Sequence, residues 1–128
     1  PGFGPYNATK HAVVAISEGL FLELAAKGVG VSCSCLCPGF VKTNLMTDIK
    51  WSDRLGEKPK EIVDPISAMM NEALHVGVET GIPAEDVAEQ VHDAIVNNRF
   101  WILTHPDFRS APVERMQRAA AQENPSVG

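Results

Sequence analysis

From Tyr6 to Lys27 the chain reads YNATKHAVVAISEGLFLELAAK, with Gly19 the one breaker inside it. Val13, Ile16, Leu20 and Leu24 return at three- and four-residue steps, which is the helical period. Pro5 stands where a first turn begins, and Gly28 follows Lys27 as a stop, with the cation in the last turn. The next apolar stretch is of another kind. Val31 to Cys37 is short, made of small or apolar residues, and ended by Pro38-Gly39. It predicts a buried strand. Residues 43–81 are mixed, with a Lys/Glu-rich middle followed by the more helical DPISAMMNEALHVGV. IPAEDVAEQVHDAIVNNR predicts a helix with Pro83 in its first turn, Glu85 and Asp86 at its positive end, and a stripe of Val87, Val91, Ala94 and Ile95. FWILTHPD predicts a second buried strand, and the remainder a short helix with a fraying tail.

Helix, strand, helical excursion, helix, strand and helix is an alternation that implies α/β architecture with a parallel sheet. The strands would be joined by a right-handed crossover through residues 43–99. Two strands are marginal as a sheet, and parallel sheets need helices on both faces. The expectation is therefore the C-terminal part of a Rossmann-type doubly wound domain, covered by a companion half or by other subunits.

Composition narrows the function classes without choosing one. The 128 residues are 45% hydrophobic and 21% charged, with a formal net charge of −5. Acids and bases are interspersed, which argues against nucleic acid or an anionic membrane surface as partner. No apolar run has the length of a membrane span, and no secretory signal is visible. Cys33, Cys35 and Cys37 occupy every second position. In a strand they share one face, with Cα atoms roughly 6.5–7 Å apart. That spacing is too long for a bridge between neighbours and awkward for a metal, so they read as small core residues of a reduced compartment, the cytoplasm.

Two features carry chemistry. Tyr6 and Lys10 lie four residues apart, on one face of the predicted helix. A tyrosine ordinarily titrates near pH 10, and a neighbouring ammonium favours the phenolate. Such a pair can act as a general acid/base, although the bare spacing also suits a half-exposed aromatic beside a solvated cation. The second feature is CPGFVKTNL, directly after the first strand. Gly39 permits close backbone approach, Thr43 offers a hydroxyl, and ligands of open parallel sheets bind outside the carboxyl ends of strands.

In this order and spacing, Tyr-x-x-x-Lys opening a helix, a strand, and Pro-Gly-x-Val-x-Thr resemble the short-chain dehydrogenase/reductase family over almost the whole chain. The resemblance implies a hydride transfer between NAD or NADP and a small carbonyl or alcohol substrate. It makes Tyr6 the acid/base, and Lys10 its electrostatic partner and a ribose ligand. Pro38 and Gly39 would border the nicotinamide, Val41 would meet its carboxamide through backbone, and Thr43 would contact carboxamide or phosphate. Residues 44–81 fall where the family carries its substrate lid, and 109–128 form the terminal helix and tail. Phe40, Met46, Trp51 and Met70 are candidate substrate contacts, with Ile66, Met69 and Leu74 beside them.

The family's glycine-rich phosphate loop, Asn-Ala-Gly segment and catalytic serine lie upstream of its tyrosine, and no GxxxGxG precedes Tyr6. These residues alone are therefore expected to be inactive in hydride transfer. A homo-oligomer, dimer or tetramer, is implied by the resemblance. The competing reading is a non-catalytic packing or assembly module using the apolar stripe of the first helix. An acyl or lipid carrier built on the Met-rich 66–78 segment would leave Tyr6 and Lys10 unexplained.

Overall fold

The computed structural model describes residues 3–44 and 65–125. Helix α1 (Gly4–Lys27) leads into strand β1 (Cys35–Cys37) and the short strand β2 (Val41–Lys42). Helix α2 (Pro65–Glu79), strand β3 (Ile82–Pro83), helix α3 (Ala84–Val96) and strand β4 (Trp101–Leu103) follow. A 3-10 turn at Pro106–Phe108 and helix α4 (Ser110–Ala120) complete the described chain. The architecture is α/β with parallel strands and flanking helices.

The predicted strands pair in parallel, Cys35 with Trp101, Leu36 with Ile102 and Cys37 with Leu103. Both are shorter than the apolar runs suggested. Val29 and Val31 are 53% and 61% exposed, so the pairing starts only where Cys35 N–H reaches Phe100 O at 2.7 Å. A second parallel pair was not expected: Val41 faces Ile82, and Lys42 faces Pro83. Two-residue strands carry no readable period of their own.

Helix α1 ends as its sequence demands, with Gly28 left-handed at φ 61 and its N–H returned to Ala25 O at 3.2 Å. Its packing face differs from the aliphatic stripe. Val14, Ser17, Phe21 and Leu24 are half-buried, while Val13, Ile16 and Leu20 are 54%, 71% and 46% exposed. The side facing β1 is chosen by two contacts. Cys33 Sγ donates to Ser17 O at 3.6 Å, and the Phe21 and Phe100 rings lie 5.1 Å apart. A serine and an aromatic ring thus set the face, and only Leu24 is common to both stripes.

Alternation along β1 puts Cys35 and Cys37 on one side, and Cys33 just before the strand bonds Ser17 of α1. On the opposite side, Leu36 and Ile102 line a cavity of about 610 Å³ with Val91 and Ile95 of α3. Helices therefore lie on both faces of the β1–β4 pair. In α3, Val87 and Ala94 are buried and Val91 is half-buried, whereas Ile95 is 65% exposed. Pro83 precedes the first turn of α3 and does not belong to it. Asp93 closes the far end, accepting from Asn97 Nδ2 at 2.7 Å and pairing with Arg99.

Among the described residues, the buried set is Cys35, Val87, Ala94, Ile102 and Thr104. Within the same residues, no helix is long and apolar enough to cross a membrane.

Candidate functional site

The first turn of α1 presents Tyr6. Pro5 supplies a helical φ without an orphaned N–H, and Asn7 N–H closes the turn on Phe3 O at 2.8 Å. Phe3 meets the Tyr6 ring edge-on, with centroids 6.2 Å apart. Lys10, one turn on, carries its Nζ over that ring, 5.3 Å from the centroid. Tyr6 is 57% exposed, so its hydroxyl is open to a ligand. The pair predicted from spacing is thus assembled as a pair. His11, next along, has its Nδ1 2.8 Å from Asn7 O and its Nε2 2.7 Å from Arg115 Nη1. A carbonyl only accepts and a guanidinium only donates, so Nδ1 carries the ring proton. The contact ties α4 to α1 beside Lys10.

The second candidate group leaves the carboxyl end of β1. Gly39 N–H donates to Thr104 Oγ1 at 3.1 Å, and Thr104 is 6% exposed. Thr104 Oγ1 lies 2.7 Å from His105 Nδ1, and the His105 ring stacks on Phe108 with centroids 5.4 Å apart at 11°. A Cβ on Gly39 would stand 2.6 Å from His105 Nδ1, so glycine here answers a close approach by a ring. Pro38, Gly39, His105 and Phe108 line a cavity of about 200 Å³.

Phe40 anchors the loop at its other end. Its carbonyl accepts from Ile82 N–H at 3.1 Å, and its ring lies on Gly77 of α2. Val41 is held by pairing with Ile82, and Thr43 is exposed. Met70 is half-buried in α2, and Met46 and Trp51 lie outside the described residues. Of Ile66 only its place in α2 is described, while Met69 is 67% exposed and Leu74 half-buried.

The cysteines behind the loop are free, and the Cys35 and Cys37 sulfurs lie 3.9 Å apart, closer than their backbone spacing suggests. Burial and the neighbouring Cys35 push the Cys37 thiol up to about 11, which leaves it protonated at neutral pH. No cluster of three or more metal-ligating side chains occurs among the described residues.

Sequence reading passed over Gly77, Gly81 and Thr104. Two glycines four apart, just before a short apolar strand, and a hydroxyl directly after a strand were the available signals.

Residues 1–54 match the short chain dehydrogenase family model. A CLA biosynthesis dehydrogenase/reductase of Lactiplantibacillus plantarum is 29% identical over 135 residues, covering 99% of this chain and 45% of that protein. Dehydrogenase/reductase SDR family member 4 of Oryctolagus cuniculus is 34% identical over 97 residues, covering 65% of this chain and 36% of that protein. Among solved structures, a short chain dehydrogenase/reductase from Burkholderia phymatum in complex with NAD superposes with a TM-score of 0.82 at 33% identity. The match takes in 98% of this chain and 44% of that one, so the chain spans less than half the length of the relatives it matches. Parallel strands between helices, a Tyr–Lys pair at a helix start and these likenesses agree: the chain belongs to the short-chain dehydrogenase/reductase family.

Proposed function

We propose that these residues are the C-terminal part of a single NAD(P)-dependent oxidoreductase domain, with 44–81 as substrate lid and 109–128 as terminal helix and tail. The reaction is hydride transfer between nicotinamide and a carbonyl or alcohol carbon. The observation that carries the reading is Lys10 Nζ poised 5.3 Å from the centroid of an exposed Tyr6 ring, in a family where chemistry of this kind recurs.

The donor set suits the neutral end of such a cofactor. Tyr6 offers a hydroxyl, Lys10 an ammonium, and Pro38 to Thr43 a strand-end backbone with an exposed hydroxyl. These partners match ribose hydroxyls and a carboxamide. When bound, the nicotinamide supplies or takes the hydride. Tyr6 gives its proton to the carbonyl oxygen in reduction and takes one from the alcohol in oxidation. Lys10 places positive charge beside the phenolate that forms. Pro38 and Gly39 would border the nicotinamide, Val41 would meet its carboxamide through backbone, and Thr43 would add a hydroxyl contact. Phe40 and Met70, with Met46 and Trp51, are proposed to face the substrate.

In this reading the 128 residues taken by themselves, which span less than half the length of the relatives, are inactive. The whole protein is a cytoplasmic homo-oligomer acting on a small molecule. A screen of carbonyl and alcohol substrates with NAD(H) and NADP(H) tests it. Turnover is expected from the full-length polypeptide and none from the 128 residues. A full-length polypeptide without turnover on either cofactor would contradict it.

The assembly-module reading has one observation in its favour, the exposure of Val13, Ile16, Leu20 and Leu22 on α1. The two readings part on the full-length sequence: a glycine-rich loop and a serine upstream of Tyr6 support the enzyme.

A further inference from the structure

The Pro38-Gly39 turn is held by a polar pair from another strand. Thr104 directly follows β4 and is 6% exposed. Its oxygen accepts the Gly39 N–H at 3.1 Å. The same oxygen lies 2.7 Å from His105 Nδ1, so hydroxyl and imidazole share a second hydrogen bond. The resulting chain runs from Gly39 N–H to Thr104 Oγ1 and on to His105 Nδ1. The imidazole is fixed in turn by stacking on Phe108 and by lying against the bare Cα of Gly39. The Gly39 N–H, the Thr104 hydroxyl and His105 Nδ1 thus find their partners in one another. A buried hydroxyl bonded to a strand-end glycine fixes where the turn stands and which way its peptide points.

We propose that Thr104 and His105 are positioning residues that set the Pro38-Gly39 turn, and through it the fit of the nicotinamide cofactor. The inference rests on the oxidoreductase reading, because only then does the turn border a nicotinamide. Valine keeps the shape of Thr104 and removes the acceptor, whereas serine keeps the acceptor and removes a methyl group. Loss of one buried hydrogen bond is the scale of about a tenfold effect.

The test uses the full-length polypeptide. Thr104→Val is expected to raise the KM for the nicotinamide cofactor about tenfold, with the substrate KM within about twofold of the parent. Amide exchange at Gly39 should quicken by a similar factor. Thr104→Ser is expected to restore both to within about threefold. His105→Ala, which leaves the buried hydroxyl in place, should raise the cofactor KM in the same direction and carries the test if Thr104→Val does not fold. Parent-like cofactor KM in the folded Thr104 and His105 variants overturns the positioning role. So does failure of Thr104→Ser to rescue. If the unaltered protein binds neither NADH nor NADPH, the oxidoreductase reading falls and this role falls with it. Binding with Gly39 exchange unmoved overturns the role alone.

Discussion

Gly81 lies directly against the backbone of Phe40. A Cβ on Gly81 would stand 2.6 Å from the Phe40 carbonyl oxygen and 2.7 Å from its carbon. That carbonyl also accepts the Ile82 N–H, so the two chains are locked at the point where the loop after β1 meets β3. Backbone on both sides leaves no side chain free to give way. Gly81→Ala is expected to lower the unfolding free energy by about 1–3 kcal/mol, seen as a lower midpoint in chemical denaturation. An unchanged midpoint would contradict the close approach.

Gly77 makes a useful contrast. A Cβ there would stand 2.7 Å from the Phe40 ring, which can move. Alanine also favours the interior of α2 by about 0.5–1 kcal/mol. Gly77→Ala should therefore leave stability within about 1 kcal/mol of the parent while displacing the Phe40 ring. In the full-length protein the expected readout is an altered substrate KM with the cofactor KM unchanged. A loss of stability as large as that of Gly81→Ala would show that Phe40 is fixed in place.

The thiols behind the loop should be slow. Cys37 is raised from 9.0 to about 11 by burial and by Cys35. At pH 8 its thiolate fraction is roughly a hundredfold below that of an unshifted thiol, and alkylation follows the thiolate. Mapping of iodoacetamide adducts by mass spectrometry should show Cys37 modified slowly at pH 8, with the rate climbing as pH rises toward 11. The linkage has a definite sign. Between about pH 9 and 11 the native thiol keeps its proton while the unfolded one loses it. Stability contributed by Cys37 is therefore present below that window and declines across it. Rapid alkylation of Cys37 at pH 8 would contradict this.

How much was legible beforehand follows from where each signal resides. α1, α3, β1 and β4 announce themselves through period and punctuation, and their parallel pairing follows from alternation with helices. The Tyr6–Lys10 pair was legible because helical geometry alone brings residues four apart together. The α1 packing face was not legible from the apolar stripe, because apolarity selects Ile16 while the sheet selects Ser17 and Phe21. β2 and β3 were invisible for lack of length. The support of Gly39 by Thr104 joins residues 65 apart in sequence, and no local pattern encodes such a contact.

The central claim is that Tyr6 transfers the proton. Tyr6→Phe keeps the ring in contact with Phe3 and Lys10 and removes only the hydroxyl. The most direct measurement is kcat of the full-length Tyr6→Phe variant, with cofactor binding followed in parallel by NADH fluorescence. The account predicts a fall in kcat of about 10²–10⁴ with cofactor affinity within about threefold of the parent. A kcat within threefold of the parent would contradict it.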